Sequence, residues 1–225
     1  MTSPRVIRDI QRPTPQVVEA LGAFGVATIH EAYGRLGLMD PAIRPIRDGL
    51  RLCGPAVTSL NQPGDNLMVH AAIDVCRPGD VLVVTTTEPS THGMVGELLA
   101  TQARARGLGG MVLDTGVRDV AALQEMGFPV WSRAISALGT TKEKAGWVNV
   151  PVLCAGVTVN PGDIVVADDD GVVVVAAADA ARVAEAAAAR EARESVLRER
   201  YAGGESSLDV GGLRKVLARL GVEDA

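Results

Sequence analysis

The chain has 225 residues, of which 47% are hydrophobic and 22% charged, and its formal net charge is -5 at pH 7. This length allows one domain with a full core, and the acidic balance favours a small substrate over nucleic acid. The odd number of cysteines, Cys53, Cys76 and Cys154, suits a reducing compartment and gives no zinc pattern. The N-terminus lacks the apolar core of a signal peptide, and no apolar run approaches the roughly 20 residues of a membrane span. We therefore expect a soluble, cytoplasmic protein with no nucleic-acid or membrane partner.

Two short helices are predicted near the N-terminus. Thr14 and Pro15 form an N-cap followed by a proline at the first helical position. The second helix is predicted to begin at Thr28, which would place His30 and Glu31 in its first turn. A glutamate there suits the helix dipole, and a lone helical histidine is more often structural than functional.

Two further helices are predicted near the C-terminus. Residues 178–201 are rich in alanine and laced with charges, which is typical of one long helix. A last short helix is predicted around residues 213–220. The polar side of the long helix, which includes Arg190 and Glu194, is typical of a solvated face.

The triplet Pro-Gly-Asp occurs three times and marks turns in the chain. Two copies directly precede the apolar runs 81–84 and 164–167, which are predicted to be buried strands. The first copy ends at Asp65, which we expect to be the N-cap of a helix. Because strands alternate with helices and most strands are almost continuously apolar, the pattern predicts an α/β layered domain with buried sheets.

Three consecutive aspartates, Asp168, Asp169 and Asp170, resemble a metal site. They stand before Gly171 between two strand-like runs, and Asp-Gly is a favoured hairpin turn, so we interpret them as a turn. Several other site types are excluded, because the chain has no P-loop, HExxH, G-x-S-x-G or dinucleotide fingerprint. The three lysines lie outside runs apolar enough to lower an amine pKa, which argues against lysine as a nucleophile.

The centre of the chain is predicted to form a helix, a strand, a helix and a strand in turn. Gly96 and Glu97 begin the first helix. Gly116 is predicted to end the strand that follows, which places Arg118 and Asp119 on a short loop at the C-terminal end of that strand. In open α/β folds, ligands bind at this edge of the sheet.

These residues form a candidate site rich in oxygen atoms: Glu97, Arg118, Asp119 and, as a further candidate, Asp114. Carboxylates with few histidines or cysteines nearby favour Mg²⁺ or Mn²⁺ over zinc. The backbone N–H groups of Leu98 and Leu99 at a helix start would bind an anion. An arginine beside them binds a planar carboxylate or stabilises an oxyanion. The pattern predicts a site for a 2-oxo acid that chelates a metal.

Motifs along nearly the whole chain are shared with a known family: GVATIHEAYGRLGL, PGDN, GDVLVV, GELLAT, RGLGGMVLDTGVRD, MGFPVW, NVPV-x-CAG and PGDIVVADDDGV. The most specific is a carboxylate, Glu97, followed after twenty residues by Arg118 and Asp119. By these motifs the chain resembles the class II 4-hydroxy-4-methyl-2-oxoglutarate/4-carboxy-4-hydroxy-2-oxoadipate aldolases, whose superfamily also contains the regulator of ribonuclease activity A. Family aldolases often carry Asp where Glu97 stands. The regulatory branch typically lacks the second aspartate, so Asp119 favours an enzyme.

The resemblance implies an α/β fold, namely a single layered β/β/α domain of swivelling-domain type with N-terminal helices and a long C-terminal helix. The domain would span residues 1–225, with an N-terminal helical segment, an α/β core and C-terminal helices at 1–50, 51–177 and 178–225. The resemblance also implies a homotrimer or homohexamer with active sites between subunits. A carboxylate from the neighbour's C-terminal helix would complete each site. Glu194 lies at the matching position, and the IHEA segment contains two weaker candidates.

The same resemblance implies a role for each candidate residue. Asp119 would bind Mg²⁺ or Mn²⁺ directly, and Glu97 would act through metal-bound water. The carboxylate of pyruvate would sit on the backbone amides of Gly96, Glu97, Leu98 and Leu99, with Arg118 on its keto oxygen. Retro-aldol cleavage of the C3–C4 bond would then leave a metal-stabilised pyruvate enolate, which loss of CO₂ from oxaloacetate would also produce.

Two other classes of function stay open. One is a non-enzymatic binding protein related to the ribonuclease regulator, which would need no metal ligand at Asp119. The other is a dedicated oxaloacetate decarboxylase, or a hydrolase that acts on a related oxo acid. No feature of the sequence selects between a methyl and a carboxymethyl group at C4 of the substrate.

Overall fold

The computed structural model describes residues 3–222. Its helices are α1 (Pro15–Gly22), α2 (Val26–Ala32), α3 (Leu67–Val75), α4 (Glu97–Ala105), α5 (Val120–Met126), α6 (Ala180–Ala202), α7 (Ser207–Val210) and α8 (Leu213–Arg219). Its strands are β1 (Arg5–Val6), β2 (Arg44–Pro45), β3 (Leu52–Asn61), β4 (Val81–Thr86), β5 (Gly93–Val95), β6 (Gly110–Val117), β7 (Val130–Ile135), β8 (Trp147–Val148), β9 (Val152–Cys154), β10 (Val157–Val159), β11 (Ile164–Asp168) and β12 (Gly171–Val175).

Four parallel strands form the centre of the main sheet, in the order β3, β4, β6 and β7. The short strands β8 and β1 extend the sheet on the β3 side, and β2 extends it beyond β7. The hairpin β11–β12 pairs with the first half of β3, whose second half pairs with β4. Strand β3 therefore joins the hairpin to the parallel strands.

The hairpin β11–β12 is covered on both faces. Ile164 and Val166 belong to a core shared with α1, α2 and α6, whereas Val165 and Ala167 belong to the larger core under the parallel strands. Successive side chains of a strand point to opposite faces, so an unbroken apolar run is what two covered faces require. The layered α/β arrangement with N-terminal helices and a long C-terminal helix is confirmed.

The prediction for the second helix was wrong in its start. Helix α2 begins at Val26, so His30 lies in its last turn, and Glu31 is not in its first turn. The N–H of Val26 donates a hydrogen bond to the carboxylate of Asp168, 142 residues away (2.8 Å). No side chain of the local N-cap, Gly25, is available for this role. The start of the helix is therefore determined by a tertiary contact, which the local sequence does not show.

The prediction that Gly116 ends its strand was also wrong. Strand β6 continues through Gly116 to Val117, and Gly116 pairs with residues of both β5 and β7. A Cβ atom at this position would meet the backbone carbonyl oxygens of Thr91 and His92. Glycine is needed here because neighbouring backbone approaches closely, not because the strand stops.

The acidic triplet forms the turn that the sequence predicted. Asp168 pairs with Gly171 at the end of the β11–β12 hairpin. The carboxylate of Asp169 accepts a hydrogen bond from the N–H of Gly49 (2.8 Å). Within residues 3–222, no group of three or more His, Cys, Asp or Glu side chains is arranged to bind a metal ion.

Helix α6 has 23 residues and packs mainly through Ala180, Val183, Ala184 and Ala187. These small side chains follow the helical repeat and bury one stripe, while the opposite face is charged. In the part of the chain described here, no helix combines the length and the hydropathy that crossing a bilayer requires.

Candidate active site

Six of the residues predicted for the site line one cavity of about 500 Å³. It lies where the N-terminus of α4 approaches the end of β6. The predicted residues on its lining are Gly96, Glu97, Leu98, Leu99, Arg118 and Asp119. Leu98 is 82% exposed. The buried residues of α4 are Leu99, Ala100 and Ala103.

Asp119 has an unusual backbone at the start of α5. It is the N-cap residue of that helix and adopts the left-handed conformation, with φ 56° and ψ 35°. Aspartate tolerates this region better than most non-glycine residues. Its Oδ2 atom accepts a hydrogen bond from the N–H of Glu97 (3.1 Å) and lies 3.7 Å from Nε of Arg118. The carboxylate is thus fixed against the N-terminus of α4.

Gly96 permits this close approach. A Cβ atom at Gly96 would lie 2.9 Å from both Cγ and Nε of Arg118, and closer still to Oδ2 of Asp119. The backbone of Gly96 is extended, with φ -139°, so the glycine is required by space and not by its torsion angle. Any larger residue would push the arginine and the aspartate away from α4.

The start of α4 provides backbone donors for an anion. The first N–H groups of a helix have no acceptor within the helix, and the helix dipole favours negative charge there. Asp119 uses the N–H of Glu97, which leaves those of Leu98 and Leu99 for a ligand. Arg118, whose side chain is 45% exposed, adds a full positive charge at the same cavity.

A second wall of the cavity consists of residues that the sequence did not identify as candidates: Asn66, His70, Met94, Gln102 and Lys142. Burial, and then the positive charge of Lys142, lower the pKa of His70 below its usual 6.5. These residues come from α3 and its N-cap, from β5, from α4 and from the loop after β7, which lie apart along the chain. Their proximity depends on tertiary packing. Asn66 belongs to the PGDN motif, but a turn motif alone does not place a residue in the site.

Asp65 fixes the position of the loop that contains Lys142. Its buried carboxylate accepts hydrogen bonds from the Thr141 hydroxyl (2.7 Å) and from the N–H groups of Glu143 (2.6 Å) and Lys144 (3.1 Å). Burial alone would raise the pKa of Asp65, but these bonds and one from the Leu67 N–H outweigh it and lower the pKa. The prediction of Asp65 as the N-cap was wrong by one residue, since Asn66 takes that position.

Asp114 is not part of this site. It lines a separate cavity of about 730 Å³, where it is hydrogen-bonded to Arg133 and to the N–H of Ala155 (2.6 Å). The guanidinium is also near Asp40 (3.9 Å). This carboxylate is already neutralised by an arginine on the adjacent strand β7, so the sequence-based suggestion of Asp114 as a further site residue was wrong.

Glu194 does not line the cavity of its own chain. It lies on α6 and forms an ion pair with Arg190 (2.7 Å), one helical turn earlier. Arg190 also approaches Glu31 on α2 (3.6 Å). Within one chain, Glu194 therefore belongs to a network between two helices, and a role at the cavity would require a second subunit.

The donor set at the cavity fits a hard divalent cation held mostly through water. Asp119 and Glu97 supply carboxylate oxygens, and neither cysteine nor a cluster of histidines competes for the ion. Mg²⁺ commonly keeps several waters and binds one or two carboxylates. Such a site needs only one or two protein ligands. It is therefore compatible with the finding that no group of three or more His, Cys, Asp or Glu within residues 3–222 is arranged to bind a metal ion.

Two solved structures share this fold over most of their length. An uncharacterised protein from Pseudomonas syringae pv. tomato superimposes with a TM-score of 0.78 at 27% identity, covering 88% of this chain and 97% of the other. Streptomyces coelicolor RraAS2, described as an unusual member of the RNase ES inhibitor RraA protein family, gives 0.75 at 29% identity over 84% and 99%.

Two curated relatives share the name "Putative 4-hydroxy-4-methyl-2-oxoglutarate aldolase". The one from Halalkalibacterium halodurans is 34% identical over 144 residues, which is 64% of this chain and 69% of the relative. The one from Burkholderia multivorans is 38% identical over 141 residues, or 63% and 85%. The RraA-like family model, described as Aldolase/RraA, matches residues 14–174. The match covers more than half of the sequence and includes the cavity of Glu97, Arg118 and Asp119, so this chain belongs to the Aldolase/RraA family.

Proposed function

We propose that the protein is a divalent-metal-dependent aldolase that cleaves 4-carboxy-4-hydroxy-2-oxoadipate and 4-hydroxy-4-methyl-2-oxoglutarate. The products are pyruvate together with oxaloacetate or a second pyruvate, respectively. Aldolase activity in general is supported by the names of the curated relatives. Decarboxylation of oxaloacetate is expected as a side activity, because it passes through the same enolate.

One observation supports this proposal most strongly. Twenty residues separate Glu97 from the adjacent pair Arg118 and Asp119. All three line one cavity beside the N-terminus of α4. A regulator that binds only a protein partner has no need for a left-handed aspartate placed on a helix N-terminus. Left-handed backbone is uncommon at non-glycine residues. Within residues 3–222 four such residues occur, and only Asp119 lines this cavity.

The residues of the chain act on different parts of the substrate. The N–H groups of Leu98 and Leu99 bind the C1 carboxylate, and Arg118 donates hydrogen bonds to the C2 oxygen. A bound Mg²⁺ or Mn²⁺, anchored by Asp119, supplies Lewis acidity at the C2 carbonyl. The C4 hydroxyl gives its proton to water as the C3–C4 bond breaks, so that C4 becomes a carbonyl carbon and negative charge develops on the C2 oxygen of the enolate. The guanidinium of Arg118 stabilises that charge. Protonation of C3 by water or another acid then releases pyruvate.

A coupled assay of pyruvate release tests the reaction and its dependence on metal. The purified chain is assayed with 4-carboxy-4-hydroxy-2-oxoadipate and with oxaloacetate, with chelator and after addition of Mg²⁺ or Mn²⁺. We expect turnover to disappear with chelator and to return with either ion. Turnover that persists without metal would refute the class II mechanism. Absence of turnover with both substrates and every ion would favour the non-enzymatic binding protein.

We also propose that the active chain is a homotrimer or homohexamer with sites between subunits. Leu98 at the cavity is 82% exposed, and Ile135 is 70% exposed. Ile135 pairs with Val117, the residue directly before Arg118. Large apolar side chains exposed next to a site are typical of surfaces that a partner covers. Glu194 of the neighbouring subunit is the proposed additional carboxylate.

A further inference from the structure

The second wall of the cavity has two polar atoms without a partner. Oδ1 of Asn66 and Nε2 of His70 are buried and form no hydrogen bond with any residue from 3 to 222. Both residues line the same cavity as Asp119. They are four positions apart, so they lie on the same side of the first turn of α3. Buried polar atoms are nearly always hydrogen-bonded to protein or to water, so these two atoms are available to bond a group that occupies the cavity.

The orientation of the Asn66 amide is fixed by its other hydrogen bond. Its Nδ2 atom donates to the backbone carbonyl of Met94 (2.9 Å). A carbonyl oxygen only accepts hydrogen bonds, so the NH₂ group must face Met94, and Oδ1 is the amide atom left without a partner. Oδ1 is itself purely an acceptor. It would repel a carboxylate and requires a donor such as a hydroxyl group.

His70 is suited to the same kind of group. Its lowered pKa leaves the ring uncharged at neutral pH, so Nε2 either donates or accepts one hydrogen bond, depending on the tautomer. A hydroxyl group can donate to one neighbour and accept from another at the same time. The pair formed by Asn66 and His70 therefore matches a hydroxyl group better than it matches a carboxylate.

We propose that Asn66 and His70 bind the C4 hydroxyl group of the aldol substrate and so select 2-oxo acids that have a hydroxyl at this carbon. In the bound substrate the hydroxyl donates to Oδ1 of Asn66 and accepts from Nε2–H of His70. It gives its proton to water when the C3–C4 bond breaks, since neither side chain acts as the base. A 2-oxo acid without the hydroxyl provides no partner for either atom, which is unfavourable. This inference rests on the proposed aldolase function and adds a residue pair that determines specificity.

The test compares two reactions of the same site. Cleavage of 4-hydroxy-4-methyl-2-oxoglutarate involves the C4 hydroxyl, whereas exchange of the methyl protons of pyruvate with deuterium, followed by NMR, involves the enolate alone. We expect His70→Phe to lower kcat/KM for cleavage about ten-fold and to leave the exchange rate within about two-fold. His70→Gln, which places an amide nitrogen near the position of Nε2, should restore most of the cleavage. His70→Leu is a second test of the loss if His70→Phe fails to fold, and thermal unfolding checks every variant.

Each outcome is informative. Equal losses in cleavage and exchange would mean that His70 acts on the pyruvate half, which overturns hydroxyl recognition. Unchanged cleavage in both His70→Phe and His70→Leu would also overturn it, with the aldolase function intact. A wild-type chain that catalyses neither reaction refutes the proposed function and this inference with it. Selective loss of cleavage, with recovery in His70→Gln, supports the inference.

Discussion

At the scale of single residues, Asp119 meets two requirements that few residue types satisfy together. Its backbone is left-handed, and its carboxylate accepts the N–H of Glu97 through one oxygen. The second oxygen, Oδ1, forms no hydrogen bond with the residues that the structure describes. Asparagine tolerates the same backbone and can accept the same bond, but it has no charge. The charge alone can therefore be removed with little change in structure.

We expect Asp119→Asn to lower turnover by about 10²-fold or more and Asp119→Ala to abolish it. Thermal unfolding of Asp119→Asn should remain close to that of the wild type. Asp169→Ala is the matched control, because its carboxylate bonds only the N–H of Gly49 outside the cavity. That change should cost about 1 kcal/mol of stability and leave turnover within about two-fold. Loss of catalysis in Asp169→Ala would contradict the turn assignment of the acidic triplet.

Gly96 gives a second prediction at this scale. Alanine fits the extended backbone of Gly96, but its methyl group would displace Arg118 and Asp119 from α4. A misplacement of about 1 Å is worth roughly 10² in rate, so we expect kcat/KM of Gly96→Ala to fall by about that factor while the protein stays folded. Gly139→Ala is the control, since nothing lies within 4 Å of a Cβ there. Full activity in Gly96→Ala would show that the close packing is unnecessary.

The sequence revealed one wall of the site and not the other. Gly96, Glu97, Arg118 and Asp119 form two short polar clusters at predicted changes of secondary structure, and spacing within a known family identifies them. Asn66 belongs to the PGDN motif, but that motif predicted only a turn and the start of a helix, and no role at the site followed from the local sequence around His70 or Lys142. They reach the cavity only because α3 and the loop after β7 pack beside α4, which depends on contacts between distant parts of the chain.

At the scale of elements, apolar runs in the sequence predicted the buried strands correctly. The residues at which helices and strands begin or end were predicted less accurately. The strands at 81–84 and 164–167 were found because both of their faces are covered, which leaves an unbroken apolar run. The start of helix α2 was predicted wrongly because its first N–H group donates a hydrogen bond to the carboxylate of Asp168, which lies in a hairpin far away in the sequence. The two-residue strands β1 and β2 are too short for any periodic pattern, and only pairing with β8 and β7 defines them.

The junction between α3 and the loop containing Lys142 depends on one buried carboxylate, Asp65. We expect Asp65→Asn to lower the free energy of unfolding at pH 7 by about 3 kcal/mol, because bonds to an ionised acceptor are replaced. In the folded state the pKa of Asp65 lies below its unfolded value of 3.8. Its stabilising effect is therefore complete above the unfolded pKa and is lost as the pH falls through the folded pKa.

Denaturant unfolding from pH 7 down to pH 3 measures this effect. The difference between wild type and Asp65→Asn should be constant down to about pH 5 and should shrink below about pH 4. Asp74→Asn is the control, because Asp74 forms an exposed ion pair with Arg8 (3.3 Å), and exposed pairs contribute little. A difference that does not change with pH would show that the ionised form of Asp65 is not what stabilises the loop.

At the scale of the whole molecule, Glu194 can distinguish an active site formed by one chain from an active site shared between two subunits. In one chain this glutamate pairs with Arg190 and does not line the cavity. If a site combines Asp119 of one subunit with Glu194 of another, the variants Asp119→Ala and Glu194→Ala should each be nearly inactive. Mixed oligomers of the two should regain activity, because some interfaces bring together both intact residues. In a ring with heterologous interfaces, equal random mixing gives an intact pair at ½ × ½, or about a quarter, of the sites.

Co-expression of the two variants with different affinity tags, followed by purification through both tags, provides these mixed oligomers. We expect pyruvate release at about a quarter of the wild-type rate per subunit. Purification through both tags removes oligomers of a single variant, which changes this fraction slightly. Doubly tagged oligomers in which both subunits carry Asp119→Ala are the control and should stay inactive, because no subunit then supplies the metal ligand. Full activity of Glu194→Ala alone would mean that the ion pair with Arg190 is its only role. Inactive mixed oligomers would contradict the shared site, because they would require Asp119 and Glu194 to act within the same chain.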